Sequence, residues 1–223
     1  MKGQLWIRAA ARLFSGMLIM GTLLFLPAGT MFWWQAWLLL ASLFVPMVVA
    51  GTVMLWKAPA LLEKRLGYRE KQDAQKAVLS LSALMFAAAF VIAGLHRRFG
   101  WPMLPGTISW AAAVVFWAGY GLYAEVLREN AFLSRTVEVQ AGQKVIDTGL
   151  YGIVRHPMYM STLLLFLSMP LILGVLPSFF IMLAYLPIIR IRILNEEALL
   201  EQELDGYLAY EQRVKYRLVP FIW

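Results

Sequence analysis

The sequence predicts an all-α integral membrane protein with about six transmembrane helices, the last two forming a tight helical hairpin. Three observations predict it. Of its 223 residues, 61% are hydrophobic and only 15% charged, and mean hydropathy is +0.67. Soluble domains carry about 45–50% apolar and about 25% charged residues, and a sphere of this size cannot hide so much apolar surface. Apolar stretches of spanning length recur along the chain, about 20 residues being needed to cross a bilayer. Finally, charge segregates: all but Arg97 and Arg98 of the 20 Lys and Arg residues fall in the N-terminus, 57–76, 128–155 or beyond 189, and all 13 acidic residues lie on that same side, Glu125 at the near end of the fourth span. An incorrect span count would scramble that pattern.

In chain order, the first span is expected over Arg12–Pro27, preceded by Lys2, Arg8 and Arg12. A basic start before an apolar run also fits a signal peptide. No small-x-small cleavage site follows, however, and a second span begins almost at once, over Phe32–Trp56. Trp33, Trp34 and Trp37 fit an interfacial aromatic belt at its outer end. The third span is read over Ala77–Leu95 and the fourth over Ile108–Leu127. A polar segment of β or turn character, Arg128–Arg155, follows. The apolar run Pro157–Ile193 is too long for one helix. Pro170, Gly174 and Pro177 break it into a hairpin of two short arms. Leu200, Leu204 and Leu208 then extend an amphipathic helix, expected to lie on the membrane face or over the hairpin as a lid.

Six spans put both termini on one side, and the positive-inside rule makes that side cytoplasmic, at the inner membrane if the source is bacterial. With no Cys, disulfides, thiolate metal sites and thiol nucleophiles are excluded, and two histidines, His96 and His156, leave little for a metal centre. No metal is expected. The net charge of +7 points to membrane lipids facing basic loops, and no nucleic-acid motif competes with that partner. The sequence carries no signal for oligomeric state.

Two polar clusters carry potential chemistry. A hairpin returns both ends of 157–193 to one membrane face, so Arg155-His156 and Arg192/Glu196 become neighbours although about 40 residues apart. At the entry, Pro157 suits the first helical position, and the free N–H groups of that first turn favour an anion. His156 and Tyr159, three apart, share a helix face. A structural role is equally open here: Arg155 as a membrane anchor, His156 as a cap, Tyr159 as a belt residue. At the exit, Arg192 and Glu196 are four apart on one face, an arrangement that also suits a simple surface ion pair. Tyr207, Tyr210, Arg213, Tyr216 and Arg217 follow and read mainly as structural.

Together, Gly149-x-Tyr151-x-x-x-Arg155-His156-Pro157-x-Tyr159, Asn195-Glu196-Glu197 and Gly206-Tyr207-x-x-Tyr210 with Arg217-Leu218-Val219-Pro220 resemble the isoprenylcysteine carboxyl methyltransferase family and the related phospholipid methyltransferases. The likeness covers roughly 134–223. Hydropathy gives one membrane domain with four spanning helices in 1–127, and the resemblance makes 128–223 the catalytic region. The resemblance also implies S-adenosylmethionine as methyl donor. By the same resemblance, Tyr151, Arg155, His156, Pro157, Met158 and Tyr159 contact that donor and the backbone of Gln143-Lys144-Val145-Ile146 holds its adenine. Glu196 reaches the donor, and Arg192 faces a lipid-like acceptor. Ser161 stands where the family often has Gly, and Gln143 replaces the His of eukaryotic relatives. A soluble methyltransferase would carry a Gly-rich loop after a strand; none occurs here. The expected activity is methylation of an amphiphilic carboxylate of isoprenylcysteine type. A phospholipid N-methyltransferase and a non-catalytic membrane scaffold are the alternatives.

Overall fold

The computed structural model describes residues 2–66, 73–130, 132–133, 139–140 and 142–223. Parts of the expected basic loop (67–72) and of the polar segment (131, 134–138 and 141) lie outside the described residues. Within them every regular element is helical: α1 (Lys2–Ala28), α2 (Trp34–Lys57), α3 (Pro59–Leu66), α4 (Asp73–Arg98), α5 (Gly106–Glu129), α6 (Pro157–Ile172), α7 (Leu176–Met182), α8 (Tyr185–Glu203) and α9 (Tyr207–Arg213), with a 3₁₀ turn at Gly149–Gly152. No strand occurs among the described residues of the polar segment, contrary to its β-like composition.

Five helical stretches are long and apolar enough to cross a membrane: Gln4–Ala28, Trp34–Lys57, Lys76–Arg98, Gly106–Glu129 and Leu176–Glu203. A shorter apolar helix, Pro157–Ile172, makes the sixth apolar stretch. Helices suit such sequences because in lipid every backbone polar group must find its partner within the chain. The first helix starts at Lys2, not at Arg12. Arg8 and Arg12 sit within it, since long basic side chains near a helix end can reach back to the headgroups.

The hairpin forms as the sequence predicts, with its turn at Leu173–Val175. Pro170 does not end α6, which runs on to Ile172. The second arm bends between α7 and α8, where the ring of Pro187 would collide with the carbonyl of Leu183 in a continuous helix. The arms are therefore unequal, because α8 continues to Glu203.

Packing relies on small residues and a few buried hydroxyls, as expected where lipid supplies no hydrophobic drive between helices. The most extensive helix pair is α5 with α6, and α1 lies against α4. At Gly94 a Cβ would stand 2.7 Å from the Leu24 carbonyl, so only glycine permits that approach. Ser178 Oγ donates to the Ala89 carbonyl at 2.8 Å, and Tyr120 Oη to that of Leu43 at 2.9 Å. Trp33 leaves the expected aromatic belt: it is 1% exposed and belongs to the core, whereas Trp34 and Trp37 are exposed. The leucine stripe of the tail is also interrupted. The left-handed Gly206 separates α8 from α9, so Leu204 is buried but Leu208 faces outward.

Candidate active site

The site lies where α6 begins, α8 ends its run beside the hairpin, and the C-terminal segment crosses both. Its floor is set by sequence-local features. Glu129, at the end of α5, accepts the Leu150 N–H at 3.2 Å. Gly149 has φ +52, and a Cβ there would fall 2.1 Å from the Glu129 carboxylate. Glycine is thus required twice over, by conformation and by space. The 3₁₀ turn it opens presents Tyr151, whose hydroxyl accepts from Asn130 Nδ2 at 2.9 Å and whose carbonyl accepts from Tyr210 Oη at 2.7 Å. Burial pushes the Tyr151 phenol up to about 12, so it stays protonated through neutral pH.

His156 occupies the N-cap of α6 and Pro157 the first helical position, as the sequence suggested. Two backbone bonds then join this start to the tail: Arg155 N–H to the Tyr216 carbonyl (2.9 Å) and His156 N–H to the Arg217 carbonyl (2.8 Å). The side chains converge on Glu197, which is 2% exposed. Its Oε1 lies 3.1 Å from His156 Nε2 and 3.0 Å from Arg155 Nε, and its Oε2 accepts from Arg217 Nε at 2.6 Å. Arg155 also reaches Glu211 on α9 at 2.5 Å. A buried carboxylate among three cationic or protonatable groups is held by charge and hydrogen bonding together.

On the neighbouring face of α8, Glu196 accepts a hydrogen bond from the phenol of Tyr159. Arg192 Nε donates to the same phenol oxygen at 2.9 Å, and its guanidinium lies 5.8 Å from the Tyr159 ring centroid. The His156 and Tyr159 rings stack at 5.6 Å. Ser161, fully buried, turns its hydroxyl back to the Met158 carbonyl at 2.6 Å and so needs no partner beyond its own helix.

Above these groups opens a cavity that gathers most of the residues singled out in the sequence: Gln143, Lys144, Val145, Ile146, Tyr151, Arg155, His156, Met158, Tyr159 and Glu196 all line it. Pro157 and Arg192 do not. Pro157 serves the helix start, and Arg192 sits one turn below Glu196, connected to the cavity through Tyr159. Sequence reasoning missed the apolar wall of Phe132, Leu133, Leu199 and Leu200, and the cover given by Tyr207 and Tyr210. The i,i+3 tyrosine pair after Gly206 was the available signal for that cover. It also left Glu197 without a role, although adjacent carboxylates on a helix point about 100° apart and so serve different neighbours.

One buried donor beside the cavity, Tyr207 Oη, has no partner among the described residues; Arg155 Nε lacks hydrogen-bond geometry but is ion-paired with Glu197. No cluster of three or more metal-ligating side chains occurs among the described residues.

Residues 107–205 match the phospholipid methyltransferase family. This bears out the resemblance drawn from the two polar clusters; the matched stretch contains both through Glu197 and stops before the tyrosine-rich tail. The match supports a membrane methyltransferase or a related membrane enzyme. The chain is also similar to the delta(14)-sterol reductase TM7SF2 of Mus musculus, with 26% identity over 91 residues, which is 40% of this chain and 22% of that relative. The shared stretch is thus under a quarter of the relative's length.

Proposed function

We propose, from the phospholipid methyltransferase match over residues 107–205, that this protein transfers a methyl group from S-adenosylmethionine to an amphiphilic acceptor resident in the membrane. The observation that carries the reading is the single cavity shared by the 143–146 loop, the start of α6 and Glu196 of α8. Its chemistry fits the donor. A carboxylate (Glu196) suits an ammonium, tyrosine faces suit a sulfonium, and Phe132, Leu133, Leu199 and Leu200 suit the flat face of a purine. When bound, S-adenosylmethionine supplies an electrophilic methyl carbon.

The protein's part is then alignment and exclusion of water. His156, Met158 and Tyr159 shape one wall, and Tyr151 is fixed against it through Asn130 and Tyr210. Arg192 holds the Tyr159 phenol oxygen just outside the cavity lining, where an acceptor's polar end would meet it. A carboxylate acceptor, as in an isoprenylcysteine-like compound, is already ionised near neutral pH and needs no general base. Arg192 would orient it as a bidentate partner. A phospholipid amine is the second reading, favoured by the family that the chain matches. In that case a base is required, and Glu196 and His156 are the candidates.

By charge distribution, the cavity and both termini are assigned to the cytoplasmic side, within one membrane domain whose residues 128–223 form the catalytic region. The direct test incubates purified protein with methyl-labelled S-adenosylmethionine and total membrane extract, followed by mass spectrometry. A labelled lipid-like carboxylate supports the first reading, a labelled headgroup amine the second. Failure to bind S-adenosylhomocysteine and to label any lipid would leave the scaffold role instead.

A further inference from the structure

The buried, unpartnered hydroxyl of Tyr207 lies outside the residues used so far. Tyr207 is 4% exposed, opens α9 immediately after the left-handed Gly206, and lines the cavity opposite the start of α6. Its ring packs against Tyr210 at 5.8 Å and in the cluster with Leu204 and Val214. Its Oη finds no hydrogen-bond partner among the described residues. Tyr210, one turn later, differs: its hydroxyl is used up on the Tyr151 carbonyl.

A buried hydroxyl left unpaired is costly, and native structures rarely keep one without a partner arriving from elsewhere. The charged groups that act on it most strongly are Glu197, Arg155 and Glu196. Arg155, buried beside the same cavity, brings a guanidinium whose Nε lies 3.0 Å from Glu197 and whose Nη1 lies 2.5 Å from Glu211. Burial raises the Tyr207 phenol well above its ordinary value, so it remains an O–H donor. A dry O–H donor beside a buried guanidinium suits an anionic acceptor. Resting on the methyl-donor reading above, we propose that Tyr207 and Arg155 form the subsite for the α-carboxylate of the donor's amino-acid moiety, with the Tyr207 hydroxyl donating to it. On that ligand the ammonium has no lone pair, the positive charge makes the sulfonium sulfur a poor acceptor, and the ribose and purine acceptors are neutral. The carboxylate is its one anionic acceptor.

The test uses the full chain purified in detergent, with S-adenosylhomocysteine and 5′-deoxy-5′-methylthioadenosine, which lacks the amino-acid moiety, as calorimetric probes. Tyr207→Phe keeps the ring and removes only the hydroxyl. We expect its Kd for S-adenosylhomocysteine to rise about tenfold, its affinity for methylthioadenosine to stay unchanged, and its ligand-free unfolding midpoint to be equal or higher. Tyr210→Phe, which loses an internal bond, lowers that midpoint instead. An equal loss for both probes, or no loss for either, overturns the subsite while leaving the methyl-donor reading intact. If wild-type protein binds neither probe, both fall together.

Discussion

The carboxylate of Glu197 stands 3.1 Å from the imidazole of His156 across the gap between α8 and α6, and both side chains are at most 5% exposed. Forty-one residues of chain close on this one contact. Arg155 and Arg217 complete it, so removing Glu197 would leave three cationic or protonatable groups facing one another with Glu211, on Arg155 alone, as the remaining counter-charge. We expect Glu197→Ala to destabilise the protein by about 3–5 kcal/mol, read as a large drop in the thermal unfolding midpoint in detergent. Glu197→Gln, which keeps acceptor oxygen and shape, should fall between. An Ala variant that unfolds like wild type would show the contact to be incidental.

Glu196 and Arg192 should separate kinetically. Glu196 lines the cavity and Arg192 does not. Under the proposed function, Glu196→Ala abolishes donor binding by calorimetry, whereas Arg192→Ala leaves donor affinity within a few-fold and instead raises the acceptor KM or lowers kcat. Wild-type donor affinity in Glu196→Ala would remove Glu196 from the donor site.

Gly149→Ala is expected to be disproportionate for a single methyl. The new Cβ would lie 2.1 Å from the Glu129 carboxylate at a φ of +52, which forces that carboxylate off the Leu150 N–H. The cost should be about 1–3 kcal/mol, with loss of ligand binding before loss of helix content by circular dichroism. Gly121, where nothing lies within 4 Å of an added Cβ, is the control.

Alkali should loosen the site from its floor upward. The Tyr151 phenol is pushed up to about 12 by burial, and burial also raises that of Tyr210. A group that binds its proton more tightly when folded leaves stability intact below the unfolded value near 10 and drains it as pH climbs toward the folded one. Tyr151 alone accounts for a decline on the order of 2–3 kcal/mol between pH 10 and 12. A denaturant titration across that range, compared with Tyr151→Phe, measures it. A pH-independent midpoint in both would contradict the assignment.

Much of this was legible in the sequence because lipid simplifies the code. Apolar length alone marks the spans, and Gly174 between Pro170 and Pro177 marks the hairpin, so the approach of His156 to α8 followed from helix rise. Details that depend on neighbours were not legible. Trp33 reads as a belt residue by type, yet the turn into α2 aims it at the core. Glu196 and Glu197 read as a pair, yet one turns to Tyr159 and the other to His156. The bend at Leu183–Ala184 was hidden because Pro187 acts on the residue four before it. The stripe through Leu208 failed for a similar reason, since one left-handed glycine rotates everything beyond it.

The sixteen residues of α6 rise about 24 Å, whereas a bilayer's hydrocarbon is about 30 Å deep. Something must give: the leaflet dimples around this helix, or its polar end rests several ångströms below the surface. In the second case His156 and Tyr159 would lie at the level of acyl carbons rather than in bulk water. An amphiphile diffusing sideways could then meet the reactive centre without being hauled out of its leaflet, a saving that a deeper-rooted helix would forfeit.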